Sequence, residues 1–505
     1  MTRNNHSTKR TLAKDTYPGK RAIALATLLA AVLVVLSSQR LTHAETGASD
    51  KPSAARQAVP RNGLTVLWGG GEAPPAVWER FIEAARAGKS AFVVSETAER
   101  ELAPQLEALR KHGIETTVIR PDADGMPEKL ATHGAVWVDI SSLPADTTLP
   151  KTVPSNTAPL DQVLISAGFL QPAPPEALIE SLVKTPGRVG LGVPAGAGVV
   201  FVGREMHVVG RHPVVVCLPA SVTRPVDRPL LVRHLKSGAS ADLLALSRAA
   251  IARLGERFPP EKPAAPRVSH GALLACGGGA LSDEIWRRFI DLAGGVHAPL
   301  VVLPIASPGD LAPKLVDKLK GLGCTDITVL SQRTKQEIEA AEFINALKRA
   351  KGVFFGGGRQ WRYVDAYEGT IAEQLFHDVL ARGGVIAGSS AGSAIQGQYM
   401  VRGNPLGNID IMAEGYERGL GFLPGAAIDI HVAERGRLKE MVDLVETFPQ
   451  VLGLSLDEGC AAEIRGSTMT VLGKGKTHVV TSPSVAPLPL VTGDRYDLLE
   501  RKKLP

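Results

Sequence analysis

The chain has 505 residues, 44% hydrophobic and 21% charged, so a disordered chain is excluded and two or three domains are expected. Its formal charge of +6 at first suggests an acidic partner. The whole excess, however, lies in residues 1–44, where Arg3, Lys9, Arg10, Lys14, Lys20, Arg21 and Arg40 face only Asp15. The remaining 461 residues carry 50 basic and 50 acidic side chains, which removes the support for nucleic acid as a partner.

In chain order, the basic stretch precedes an uninterrupted small-and-apolar run, Ala22 to Leu36, and Thr42-His43-Ala44 reads as a small-residue cleavage site. Residues 1–44 are therefore expected to be a signal peptide, and the product secreted or periplasmic. An uncleaved membrane anchor is the alternative, although a bilayer span needs about 20 apolar residues. Residues 45–62 read as a flexible lead-in. The four cysteines are scattered, without metal-binding or redox spacing, and small apolar neighbours make buried thiols the expectation.

Two segments then resemble each other. Thr65 through Gly69-Gly70-Gly71 to Ile82 matches Ala272 through Gly277-Gly278-Gly279 to Ile290. Leu102-Ala103-Pro104 matches Leu311-Ala312-Pro313, Gly190–Gly210 aligns without gaps to Gly453–Gly473, and Asp242-Leu-Leu answers Asp497-Leu-Leu. Four blocks in one order imply a tandem duplication. The copies are expected at 63–256 and 269–505, joined by a proline-rich linker at 257–268.

Each copy alternates short apolar strands with amphipathic helices. In the second, strands are expected at 272–276, 299–304, 327–330, 352–355 and 384–387. Helices follow Ser282 and span 311–322, 336–350 and 371–381. The pattern predicts an α/β fold with a mostly parallel sheet covered by helices on both faces, and ligands beyond the carboxyl ends of its strands.

The motif that carries chemistry is Gly388-Ser389-Ser390-Ala391-Gly392, in which an apolar strand runs into GxSxG and then a helix. Its glycines permit a tight strand-to-helix turn with Ser390 exposed where backbone N–H groups favour a developing negative charge. A nucleophilic serine needs a base. His431, closing the alternating segment Ile428-Asp429-Ile430-His431, is the strongest candidate, with Asp429 expected on the same face. Arg435 and Arg437 follow, and guanidinium forks can grip a carboxylate. The loop Gly356-Gly357-Gly358 before Gln360 offers backbone donors for an oxyanion. Gly277-Gly278-Gly279 recurs in both copies and reads better as a structural turn.

In this order, the blocks of residues 269–480 resemble the cyanophycinase and aspartyl-dipeptidase family of serine hydrolases. The resemblance implies a class-I-amidotransferase-like fold, with Ser390 as nucleophile and His431 as base. It implies Gln360, Asp429, Arg435 and Arg437 as substrate-binding residues; the backbone donors put the oxyanion at Gly357, Gly358 and Ala391. Ile430 stands where the cyanophycinase pattern has glutamine. The triad acid is expected after the elbow, where Arg402 stands at the nearest match and Asp410, Glu414 and Glu417 follow, with Glu414 as the candidate; Asp457 and Glu458 match a family block. The first copy lacks both elbow and histidine, so it is expected to be non-catalytic. The implied activity is hydrolysis of aspartyl bonds, in cyanophycin or another aspartate-rich peptide, with no metal or organic cofactor. An aspartyl dipeptidase and a non-catalytic peptide-binding homologue are the alternatives. A homodimer or an internal pseudo-dimer is expected.

Overall fold

The computed structural model describes residues 64–86, 89–120, 135–142, 147–148, 163–167, 176–407 and 410–505. The expected signal peptide and the whole of the lead-in lie outside the described residues. No described helix is long and apolar enough to cross a membrane. All four cysteines are buried free thiols.

Residues 268–504 build two sheets. In the nine-stranded one, Ile327–Val329, Leu300–Leu303, Gly352–Phe355, Val385–Ser389 and Val268–Cys276 lie side by side in that order and run parallel. Cys460–Gly466, Thr468–Gly473, Arg495–Asp497 and Lys502–Leu504 continue it antiparallel. The central strands carry apolar side chains on both faces because helices cover both. One such helix, Asp283–Ala293, is N-capped by Ser282, whose hydroxyl accepts from the Ile285 N–H; it buries Ile285, Trp286, Phe289 and Ile290 against the sheet. The single helix expected over 336–350 is two helices, Lys335–Ile338 and Ala341–Arg349, because Ala340 adopts an extended conformation between them. The five-stranded sheet runs Gly397–Tyr399, Leu423–Ile430, Leu452–Leu456, Thr477–Val480 and Leu488–Leu490, its first three strands parallel.

Residues 64–242 also form two sheets. The seven-stranded one reads, from one edge, Thr116–Ile119, Ser90–Val93, Ala135–Asp139, Leu64–Trp68, Ala197–Val202, Glu205–Gly210 and Ser240–Asp242. This order repeats that of the nine-stranded sheet with two omissions, the edge strand Lys502–Leu504 and the strand Val385–Ser389. Leu64–Trp68 pairs directly with Ala135–Asp139, whereas Val385–Ser389 separates the corresponding strands of the second half. The strand that delivers the elbow has no counterpart between these neighbours.

Candidate active site

Three strands of the second half end at one level. Cys276 lies opposite Ser389, and Phe355 opposite Gly388. The glycine turn after Cys276, the glycine loop after Phe355 and Ser390 therefore share one edge of the sheet, at the carboxyl ends of its parallel strands. At the elbow, a Cβ on Gly388 would lie 2.1 Å from the Gly392 oxygen, and one on Gly392 would lie 2.1 Å from the Phe355 oxygen. Only glycine admits so sharp a turn. Ser390 itself sits at φ 55°, ψ −116°, a strained conformation for a residue with a side chain.

His431 arrives from the other sheet. The strand Leu423–Ile430 ends one residue before it, and His431 turns left-handed, with φ 55° and ψ 39°. The turn breaks the alternation that placed Asp429 and His431 on one face. Ser390 Oγ and His431 Nε2 are 2.8 Å apart. His431 Nδ1 is 2.5 Å from Glu458 Oε1. Glu458 follows the neighbouring parallel strand, in which Leu456 is paired with Ile430, so His431 and Glu458 emerge side by side. Burial holds the His431 imidazole below the usual histidine range; the Glu458 bond opposes that, and the positive charges of Arg435 and Arg437 reinforce it.

The turn Gly277-Gly278-Gly279 does more than reverse the chain. Three successive carbonyls, of Cys276, Gly277 and Gly278, accept the N–H groups of Ser390 (3.1 Å), His431 (3.0 Å) and Gly459 (3.0 Å). One turn thus references the positions of serine, histidine and the residue after the glutamate. A Cβ on Gly278 would lie 2.2 Å from His431 Cε1, so the ring occupies the space that the absent side chain leaves.

The expected site residues divide. Gly357 faces the elbow, where a Cβ on it would lie 3.5 Å from Ser390 Cβ. The N–H groups of Gly357 and Ala391 donate to no backbone or side-chain acceptor among the described residues, and both stand beside Ser390. Gly358 packs against Ala306. A cleft of about 390 Å³ opens at Ser390, lined by Gly357, Gly358, Trp286, Leu311 and Phe354. Arg435 is exposed. Arg437 is largely buried, with no carboxylate within 4 Å among the described residues and only a 3.5 Å bond to the Ile430 carbonyl; burial and the Arg402 charge lower it to about 10.

Three expectations need correction. Glu414 does not reach His431: it pairs with Arg253 of the first half, and Glu458 occupies the position beside Nδ1. Asp429 does not face the cleft; it is fully buried, and its two oxygens accept from Arg402 Nε at 3.0 Å and Nη2 at 2.9 Å. Gln360 is also buried, its Nε2 donating to the Val401 carbonyl at 3.1 Å. These last two build the wall behind the site. Sequence reasoning missed Glu458 as the partner of His431 and Arg402 as the partner of Asp429.

A strained serine at an elbow, an imidazole on its hydroxyl, a carboxylate on the second ring nitrogen and two free N–H groups define the geometry of a serine hydrolase. Comparison with known proteins agrees. The Peptidase family S51 model matches residues 273–472, so the second half of the chain is similar to cyanophycinase-like, serine-type peptidases. The chain is 29% identical over 273 residues to a cyanophycinase of Trichormus variabilis, covering 48% of this chain and 90% of that one. It is 29% identical over 239 residues to a cyanophycinase of Thermosynechococcus vestitus, covering 45% and 74%. A solved structure of a peptidase from an acI-B1 actinobacterium superposes with a TM-score of 0.37 at 18% identity, covering 46% of this chain and 98% of that one.

Proposed function

We propose that Ser390, His431 and Glu458 form the catalytic triad of an exported peptidase that hydrolyses aspartyl peptide bonds. The observation that carries this reading is the continuous relay of 2.8 Å and 2.5 Å from the Ser390 hydroxyl to the Glu458 carboxylate. His431 Nε2 takes the Ser390 proton as Oγ attacks the carbonyl carbon. Glu458 keeps the other ring proton on Nδ1 and stabilises the imidazolium. The Gly357 and Ala391 N–H groups receive the oxyanion, each worth about 2.7–4 kcal/mol. His431 then protonates the leaving amine, and water, deprotonated by the same ring, releases the acyl group. The depressed basicity of His431 keeps it in the neutral, proton-accepting form near neutral pH. Arg437, a guanidinium without a carboxylate partner near the histidine, anchors a substrate carboxylate, with Arg435 at the rim.

The substrate named by the relatives, cyanophycin, is the first to test, and small aspartyl dipeptides are the second. The matching strand orders of the two halves support a tandem duplication in which the first copy, lacking the elbow strand, is non-catalytic. The basic, then apolar, leader supports export. The deciding experiment incubates the chain and its Ser390→Ala variant with cyanophycin and with aspartyl dipeptides. Hydrolysis of at least one by the wild type, abolished in the variant, is expected. Equal turnover by both proteins would rule the mechanism out.

A further inference from the structure

Four arginines of the first half converge on the second. Arg253, 4% exposed, grips Glu414 with Nε at 2.7 Å and Nη2 at 3.2 Å, while its Nη1 donates to the carbonyls of Pro219 and Pro229. Arg228 Nη2 binds Glu417 at 3.1 Å. Arg248 Nε donates to the Gly415 carbonyl at 2.8 Å, Nη2 binds Glu368, and its guanidinium covers the Tyr416 ring. Arg204, fixed by Asp242, binds Asp365, donates to the Tyr416 hydroxyl at 2.6 Å and stacks 4.4 Å over Trp361.

The acceptors lie on only two segments. Asp365 and Glu368 belong to the helix Trp361–Tyr367 and its end; the helix begins immediately after Gln360, at the close of the Gly356–Gly358 loop. Glu414, Gly415, Tyr416 and Glu417 form the outer turn of the stretch that runs on from the elbow. The inner ends of both segments meet behind the triad. Gln360 Nε2 holds the Val401 carbonyl, the Arg402 N–H holds the Ile411 carbonyl, and the Met400 N–H holds the Glu417 carbonyl. Arg402 then binds Asp429, two residues before His431. Arg402 adopts φ 56°, a backbone conformation that persists only where its surroundings over-determine it.

We propose that the first half is a positioning domain for the Ser390 site, and that Arg204, Arg228, Arg248 and Arg253 are positioning residues. By clamping the helix Trp361–Tyr367 and the turn at 413–418, they set the Gly357 N–H on one side of Ser390 and, through Arg402 and Asp429, His431 on the other. The arrangement explains why a half without an elbow strand presents so many charge-assisted bonds to the other half, where apolar packing would suffice for attachment alone.

This inference rests on Ser390 being the nucleophile, so its test reads Ser390 directly. The full chain and its Arg253→Met, Arg228→Met and Arg248→Met variants are labelled with a fluorophosphonate, at a temperature where circular dichroism shows each folded. The second-order labelling rate and its pH profile are recorded. Misplacement by about 1 Å costs on the order of a hundredfold, so Arg253→Met should label at least about tenfold more slowly, with a displaced acid limb. Arg253→Lys, which keeps the charge, should recover part of the rate. If Arg253→Met does not fold, the two variants at partly exposed arginines decide. Folded variants that label at the wild-type rate with an unchanged acid limb, whatever their melting temperatures, would overturn the proposal. A wild type that does not label at Ser390 would overturn the nucleophile assignment itself, and the proposal with it.

Discussion

Replacing Glu458 by glutamine tests the relay at its least anticipated member. The carboxylate lies 2.5 Å from His431 Nδ1, and its backbone N–H is held by both oxygens of Glu434, at 3.1 and 3.2 Å, so the substitution leaves the main chain anchored. If the new carbonyl faces Nδ1, the ring keeps its tautomer but exchanges a charge-assisted bond for a neutral one. That difference is about 1–2 kcal/mol, or roughly 5- to 30-fold in rate. If the new NH2 faces Nδ1, the ring proton moves to Nε2, which can no longer accept from Ser390; a wrong tautomer of this kind costs up to about 10⁴-fold. Glu458→Gln should therefore lower kcat by roughly 5- to 10⁴-fold. Its acid limb should shift further down, because the bond that raises His431 against burial is weakened. The assay is aspartyl-peptide hydrolysis from pH 4 to 9, with circular dichroism as a control for folding. A kcat within about threefold of wild type would refute the assignment of Glu458 as the orienting acid.

Arg402→Met leaves Asp429 as an uncompensated buried charge and should cost about 3–5 kcal/mol in denaturant unfolding; Arg402→Met combined with Asp429→Leu should recover most of it. Gly278→Ala drives a methyl into the His431 ring, so kcat should fall about a hundredfold while the far-ultraviolet spectrum is preserved. The depressed basicity of His431 places the acid limb of kcat/KM below the ordinary histidine value of 6.5. The same shift makes the unfolded chain the better proton acceptor, so the His431 contribution to stability is present above pH 6.5 and is lost as pH falls through the depressed value. Arg437→Met should raise KM for a substrate with a free carboxylate by about tenfold and leave kcat largely unchanged, as steady-state kinetics will show.

The parallel core was legible because its strands are continuous apolar runs separated by amphipathic helices. Ser390 was legible because strand, glycines and helix follow one another within ten residues. His431 followed from its place at the end of an alternating segment. Glu458 was harder because its partner lies 27 residues away. Two strands, Leu423–Ile430 and Leu452–Leu456, that both run into acidic or basic residues are the signal that could have found it, once paired in parallel and in register. Glu414 misled because the stretch after the elbow has no periodicity, and its true partner, Arg253, belongs to the other half. Asp429 misled because alternation gives the face a side chain takes and says nothing of a counter-ion, Arg402, that fills that face from a loop.

The direct pairing of Leu64–Trp68 with Ala135–Asp139 has a consequence for engineering. Point substitutions alone would not give the first half the elbow of the second, because no strand lies between these two to seat a nucleophile at the corresponding place. A graft would have to pry open an established ladder and insert strand, turn and helix together. The two halves therefore differ by a module, and a second working site would have to be built by insertion.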